Sequence, residues 1–313
     1  MDRYNGLKNS QNLSRRYVIL LLSMLVLFIA TLAQVDRIFF KRNNGFCVQF
    51  LYSSLPNQPE WDLLPLSPEE ESTLDEILKQ KFHYLAKGTH CYAFVSEDQK
   101  YVIKFHRFAS HMRIFPWLTH PFSYQFSKRR KKIKEYNMRR LHYNLQNYKN
   151  SYRDLKEETG LILLHINRTD SLHRAVTLVD NTKAEYRVPL DQTTFILQYK
   201  ANLIYPTLER LIKERKIDEA KKIVSDIIHL IAISTQKGYA DNDPILSRNY
   251  GLLSDRAIHI DVGDLIKKEG ISLEENYIPH VKEMTESLRK QLANTYPELL
   301  EHYYQEINRL NKK

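Results

Sequence analysis

Three oxygen-bearing side chains, Asp243, Asn249 and Asp261, lie within the stretch KGYADNDPILSRNYGLLSDRAIHIDVGDL, Lys237–Leu265, close enough in sequence to share one reaction centre. Magnesium favours hard oxygen donors and commonly takes one or two protein side chains beside nucleotide phosphates, a role that Asn249 and Asp261 suit. Asp243 suits a different task, orienting an acceptor hydroxyl or accepting its proton. Phosphoryl transfer asks little more of a protein than such positioning and charge neutralisation. The apolar run Ala257–Ile260, interrupted by His259, reads as a short strand that delivers Asp261 to a tight turn at Gly263. Taken singly, each motif reads as an acidic surface loop or an ordinary hairpin; their combination favours a phosphoryl-transfer site.

With these residues in this order, the chain resembles the protein-kinase-like superfamily, including its smaller bacterial sugar, lipopolysaccharide and aminoglycoside kinases. The resemblance covers roughly Leu85–Leu265. It implies an α+β fold of two lobes, a small β-rich N-lobe and a helical C-lobe, with ATP and Mg²⁺ as cofactors. Asp243 is then the catalytic-loop aspartate, and Asn249 and Asp261 hold the metal. The family spaces its Asp and Asn five positions apart, whereas Asp243 and Asn249 stand six apart, so one residue must bulge. Gly238 precedes Asp243 by about the interval usual for the glycine that ends the preceding helix, which favours Asp243 over Asp241 as base. Asp241 falls where the family often has a His and is read as a brace for the loop.

The same resemblance locates a nucleotide-binding segment at Tyr84–Phe105, YLAKGTHCYAFVSEDQKYVIKF. Gly88 is the one glycine kept from the family's Gly-rich loop, Ala86 and Cys91 replacing the outer two. Val-Ile-Lys-Phe looks like the third strand, with Lys104 reaching the α- and β-phosphates. A lysine in an apolar strand is costly unless its charge is paired or reaches solvent. The family pairs it with a Glu on the next helix. Glu135, in the helix-compatible stretch Lys128–Gln146, is the candidate, with Glu157 and Glu158 as competitors. The hinge that binds adenine through backbone groups falls near Gln198–Ala201.

The elements between these blocks follow from local pattern. Ala175–Val179 and Tyr186–Leu190 flank a polar turn, and Thr194–Tyr199 is rich in β-formers. Glu219–Gln236 repeats Ile223, Val224, Ile227, Ile228, Ile231 and Ala232 at helical spacing, as a buried helix does. After Asp261 no long activation segment or Ala-Pro-Glu sequence follows, and Leu273–Leu310 is largely helical. That departure fits a compact site or a non-protein acceptor.

Tyr17–Val35 carries no charge and is long enough to cross a bilayer. A cleaved signal peptide is the rival, with Ala33 near a small-residue site, but the apolar core exceeds the usual ~7–15 residues. Basic residues flank both ends, Arg3, Lys8, Arg15 and Arg16 before and Arg37, Lys41 and Arg42 after, so charge assigns neither orientation. The domain reading is a basic tail at 1–16, a single-pass anchor at 17–35, a Pro-marked linker at 36–68 and a kinase-like domain at 69–313. Its N-lobe spans about 69–200 and its C-lobe about 201–313. Ser67-Pro68-Glu69-Glu70 reads as a helix start.

The chain's 313 residues are 42% hydrophobic, ample for a core, and its net charge is +10. Lys128-Arg-Arg-Lys-Lys132 invites a nucleic-acid partner, but no zinc spacing, RNA-binding aromatic motif or helix-turn-helix accompanies it. A solvated helix face, or contact with anionic lipid beside the anchor, explains the charge better. Two cysteines, Cys47 and Cys91, build no disulfide framework, and there is no His-Glu-x-x-His or Gly-x-Ser-x-Gly signature. The leading expectation is a membrane-anchored phosphotransferase acting on a hydroxyl acceptor. The alternative is a weak or inactive kinase-like scaffold that binds a protein partner or a nucleotide.

Overall fold

A computed structural model of the chain describes residues 2–62, 65–108 and 124–311, without the side chains of 2–16, 36, 39, 124–131, 133, 134 and 137. Helix α1 runs Asp2–Arg42, and its stretch Tyr17–Arg42 is apolar and long enough to span a membrane, with the apolar side chains exposed. Within the basic run at 128–132 only the Lys132 side chain is described, and it is exposed.

The segment after α1, read from the sequence as a Pro-marked linker over 36–68, packs Phe46, Leu51, Leu55 and Trp61 into buried clusters. Helix α1 stops at Arg42, and the buried Asn43 amide donates to Asp180 Oδ2 at 2.7 Å while its oxygen accepts from the Asn181 amide at 3.2 Å. Gly45 takes the left-handed conformation (φ 73°), and its carbonyl accepts from the Tyr92 hydroxyl. Phe46 then enters a nest of Tyr84, Tyr92, Phe94 and Tyr186 with ring centroids 5.2–6.1 Å apart, the tilted or edge-on contact that aromatic quadrupoles favour. Farther on, Leu51 joins the same core, and Leu55 and Trp61 join another beside Leu141 and Val262. These residues have no helical or strand period, so only the face they fill reveals them.

Helix α2 (Pro68–Leu78) begins where the sequence places it, with the Ser67 and Glu70 side chains capping each other's backbone amides in a capping box. Strands β1 (Lys81–Lys87), β2 (Cys91–Ser96) and β3 (Tyr101–His106) follow. After α3 (Tyr124–Asp154) and the single turn α4 (Lys156–Thr159) come β4 (Leu161–His165), β5 (Ala175–Val179), β6 (Glu185–Pro189) and β7 (Phe195–Tyr199). The seven strands form one sheet in the order β4-β7-β3-β2-β1-β5-β6, in which β1 and β5 run parallel and the other neighbours antiparallel. Strand alternation sorts the side chains. Phe94, Ile103, Phe105 and Leu197 point into the core that holds Phe46, leaving Ala93, Val95, Val102 and Lys104 on the opposite face.

The C-terminal part is helical. Strand β8 (Asn202–Leu203) leads to α5 (Ile204–Lys213) and α6 (Ile217–Gln236). The α6 stripe Ile223, Val224, Ile227, Ile228 and Ile231 is buried against residues of α5 and of α8 (Glu274–Met284), α9 (Glu286–Thr295) and α10 (Leu300–Leu310). Gly238 ends α6 at φ 80°, a left-handed conformation that costs glycine little. The chain then enters β9 (Tyr239–Asp241), the turn α7 (Leu246–Asn249), β10 (Tyr250–Leu252), β11 (Ala257–His259) and β12 (Leu265–Lys267). Pairing of β9 with β12 sets Asp241 opposite Leu265, and pairing of β10 with β11 sets Tyr250 opposite His259. These two ribbons hold the loops that carry Asp243, Asn249 and Asp261.

Candidate active site

The loop after β9 begins at a buried carboxylate. Asp241 Oδ1 accepts from the Asp243 amide at 2.8 Å, which turns the chain back, so Asp241 braces the loop. Burial pushes its carboxyl up from the ordinary 3.8 to about 6, opposed by the Asp243 amide and the Tyr250 hydroxyl. The Ile245 and Asn249 amides next close a one-turn helix, Ile245 N to Asp243 O at 2.6 Å and Asn249 N to Ile245 O at 2.8 Å. That turn absorbs the additional residue between Asp243 and Asn249. It swings the Asn249 side chain back, so that Nδ2 donates to Asp243 O at 2.6 Å and to Asp243 Oδ2 at 3.1 Å. Arg248 also meets Asp243 Oδ2 at 3.1 Å. With its amide nitrogen committed, Asn249 has its oxygen left to offer a cation.

Asp261 arrives on the neighbouring ribbon. The Ile260 and Asp261 amides both reach the Asn249 carbonyl, at 2.7 and 3.4 Å, which brings the two candidate metal-holding residues side by side. Asp261 Oδ1 accepts from the Gly263 amide at 3.1 Å, and the residue is exposed. A Cβ at Gly263 would stand 3.5 Å from the Tyr148 hydroxyl and 3.7 Å from Asn144 Cγ, so the turn packs against α3. Asn147 fixes that packing by donating to Gly263 O at 2.8 Å.

Lys104 crosses from the sheet to this turn. Its ammonium donates to Ile260 O at 2.5 Å and to Gln198 Oε1 at 3.0 Å. Desolvation pulls its pKa below the ordinary lysine value, while Asp261 and Cys91 nearby act in the opposite direction. Gln198 is buried, and its Nε2 donates to Thr159 O at 2.5 Å and His259 O at 2.9 Å. The sequence reading concerned the backbone groups near Gln198–Ala201; the Gln198 side chain itself is turned inward. It ties β3, α4 and β11 together beneath Lys104.

The expected partner of Lys104 is not Glu135. Glu135 is exposed on α3, Glu157 pairs with Arg256 at 3.3 Å, and the buried Glu158 pairs with Lys237 at 2.7 Å. Helix α3 instead turns Asn144, Asn147 and Tyr148 toward the Asp261 turn. The partner that sequence reasoning missed is Gln198. Alternation along TFILQY sets it on the face opposite Phe195 and Leu197, the signal that would have found it.

At the loop between β1 and β2, the Gly88 amide donates to Cys91 O at 2.9 Å, closing a tight turn. A Cβ at Gly88 would lie 3.1 Å from Cys91 Sγ. Burial pushes the Cys91 thiol's pKa up, away from the reactive thiolate. His90, at the tip, has a buried Nε2 without a partner among the described residues, and burial also holds its pKa below the usual histidine value. A further buried acceptor without a partner among the described residues, Asn144 Oδ1, belongs to the helix that packs on the Asp261 turn.

The donor set fits a nucleotide-borne magnesium ion. Among the described residues no group of three or more His, Cys, Asp or Glu forms a free-standing metal site. Asn249 and Asp261, linked through the Asn249 backbone carbonyl, would supply two side-chain oxygens, which suits an ion that keeps waters and phosphate oxygens for its other positions.

No protein-family model and no curated protein matches the chain. Among solved structures it is similar to the bifunctional kinase-methyltransferase WbdD, at 14% identity over 72% of this chain and 45% of WbdD, with a TM-score of 0.33. A complex of WbdD with the kinase inhibitor LY294002 gives 15% identity, the same coverage and a TM-score of 0.30. The chain thus spans less than half the length of the WbdD chains. It is also similar to APH(2")-IIa in a ternary complex with streptomycin and ATP, at 10% identity over 77% of this chain and 99% of that one, with a TM-score of 0.29. Within this chain a seven-stranded sheet carries Lys104, and a largely helical part carries Asp243, Asn249 and Asp261.

Proposed function

We propose that the chain is a phosphotransferase that uses ATP and Mg²⁺ to phosphorylate a hydroxyl acceptor, held at a membrane by α1. The observation that carries this reading is the convergence of Lys104, Asp243, Asn249 and Asp261 from three separate segments, linked through Ile260 O and Asn249 O. ATP·Mg²⁺, when bound, supplies the transferable phosphoryl group and the cation that neutralises its charge. Asn249 and Asp261 would hold the metal, and Lys104 with the backbone around Gly88 would hold phosphates. Ala93, Val95 and Val102 make a small apolar patch on the Lys104 face of the sheet, suited to a flat base. Arg248 and Asn249 orient Asp243 through Oδ2, leaving Oδ1 for the acceptor's hydroxyl proton.

A second reading rests on one observation: among the described residues Lys104 meets no carboxylate within hydrogen-bond distance. In that reading the fold binds nucleotide without turnover and serves as a scaffold. Phosphoryl transfer to water or to added polyols separates the two. Transfer that falls at least a hundredfold in Asp243→Asn while ATP binding persists supports the enzyme; ATP binding with no transfer in the parent protein supports the scaffold.

A further inference from the structure

An open cleft of about 550 Å³ adjoins the site, lined by Tyr136, Arg139, Arg140, Tyr143 and Asp264. Two bonds fasten it to the catalytic loop. The Asn242 amide nitrogen of the side chain donates to the Tyr143 hydroxyl at 3.3 Å, and the Asn242 backbone amide donates to Asp264 O at 3.0 Å. Asn242 directly precedes Asp243, and Asp264 lies three residues beyond Asp261, so the cleft opens where an acceptor must approach both.

Its charge is only partly neutralised from within: Arg140 makes a long, half-exposed ion pair with Asp264 Oδ2 at 3.9 Å, and Arg139 is exposed with no ion pair among the described residues. Guanidinium groups grip phosphate and carboxylate in a fixed fork, and tyrosine adds a ring face and a hydroxyl.

We infer that this cleft is the acceptor subsite and takes a hydroxyl compound bearing an anionic group, a phosphate or a carboxylate, held by Arg139 and Arg140 beside Tyr143. The inference rests on the phosphotransferase reading for the word acceptor; anion binding itself does not.

The test uses the full chain in zwitterionic nanodiscs, titrated calorimetrically with glucose 6-phosphate, galacturonate and uncharged glucose, and separately with ATP·Mg²⁺. The anionic sugars should bind and glucose should not. Arg139→Gln and Arg140→Gln should each weaken the anions about tenfold or more while leaving ATP·Mg²⁺ affinity within twofold, and Tyr143→Phe should weaken them less. Both arginines are exposed, so folding should survive, and an unchanged melting temperature checks it. Equal binding of glucose, or unchanged anion affinity in both arginine variants, overturns the inference. So does a parallel loss of ATP·Mg²⁺, which would give the cleft to the nucleotide. If the parent protein binds the anions but no ATP·Mg²⁺, the phosphotransferase reading falls and the anion cleft stands. Nanodiscs containing phosphatidylglycerol should compete with glucose 6-phosphate if the anion belongs to a lipid headgroup, and leave its affinity unchanged if it is soluble.

Discussion

Replacing Gln198 by Leu should be among the most damaging single changes near the site. Its amide makes three bonds in a buried layer, accepting from Lys104 at 3.0 Å and donating to Thr159 O at 2.5 Å and His259 O at 2.9 Å. Two carbonyls left bare cost roughly 1 kcal/mol or more each, and a bond to a charged group is worth about 1.5–3 kcal/mol. Burial of the added apolar carbons returns about 1 kcal/mol. The net loss is then about 3 kcal/mol, or a melting temperature lower by roughly 10 °C for a domain of this size. Gln198→Glu makes the sharper comparison. A carboxylate would give Lys104 the charged partner that kinases usually provide, yet it would also aim an acceptor at two carbonyl acceptors. It should therefore remain about 2 kcal/mol below the parent at neutral pH. Differential scanning of the detergent-solubilised full chain reads all three. A Gln198→Glu protein as stable as the parent would refute the claim that the two donated bonds, rather than the pairing of Lys104, fix this layer.

Phe46→Ala empties the nest of four aromatic rings and should cost about 3–5 kcal/mol, seen as a large drop in melting temperature; a change under 1 kcal/mol would return 36–68 to the status of a linker. For the same reason a chain beginning at residue 69 should be far less stable than one beginning at Asn43, measured by urea unfolding. Asp241 gives a pH signature. Its carboxyl is raised from 3.8 to about 6, so its contribution to stability is full below pH 4 and is lost as pH rises through 6. Asp241→Asn should thus gain on the parent by up to about 3 kcal/mol between pH 4 and pH 7, and a difference that stays flat or runs the other way would exclude a buried, raised carboxyl. The half-buried His106 and the buried His259, both pushed down to about 3 by desolvation, work in the opposite sense: their contribution is present above the unfolded value of 6.5 and lost as pH falls below it. A double His106→Gln, His259→Gln chain should show a shallower loss of stability from pH 6.5 to pH 4.

The parts of the site that were legible in sequence are those set by local spacing. Lys104 sits in a strand whose alternation is plain, and Asp261 follows a short apolar run into a turn at Gly263. The six-residue interval from Asp243 to Asn249 announced an additional residue, and the one-turn helix Leu246–Asn249 shows how the chain absorbs it. The two flanking strands Ala175–Val179 and Glu185–Pro189 and the buried helix Ile217–Gln236 also follow from periodicity. What could not be read was set by tertiary register. Which side of α3 faces Lys104 depends on how the helix docks on the sheet, and docking turned Asn144 and Tyr148 inward and Glu135 outward. Residues 43–62 look like a linker because Pro56, Pro59 and many polar residues mask Phe46, Leu51, Leu55 and Trp61, whose positions have no period. Their burial is dictated by a sheet face that would otherwise meet water.

The most direct test of the nucleotide site is the affinity of the full chain for ATP with and without Mg²⁺, beside Asp261→Asn and Lys104→Ala variants whose melting temperatures match the parent. The expected result is binding that strengthens at least tenfold with Mg²⁺, loses that gain in Asp261→Asn and weakens in Lys104→Ala with or without the metal. A well-folded parent that binds no ATP, or two variants that bind it as the parent does, would contradict the site.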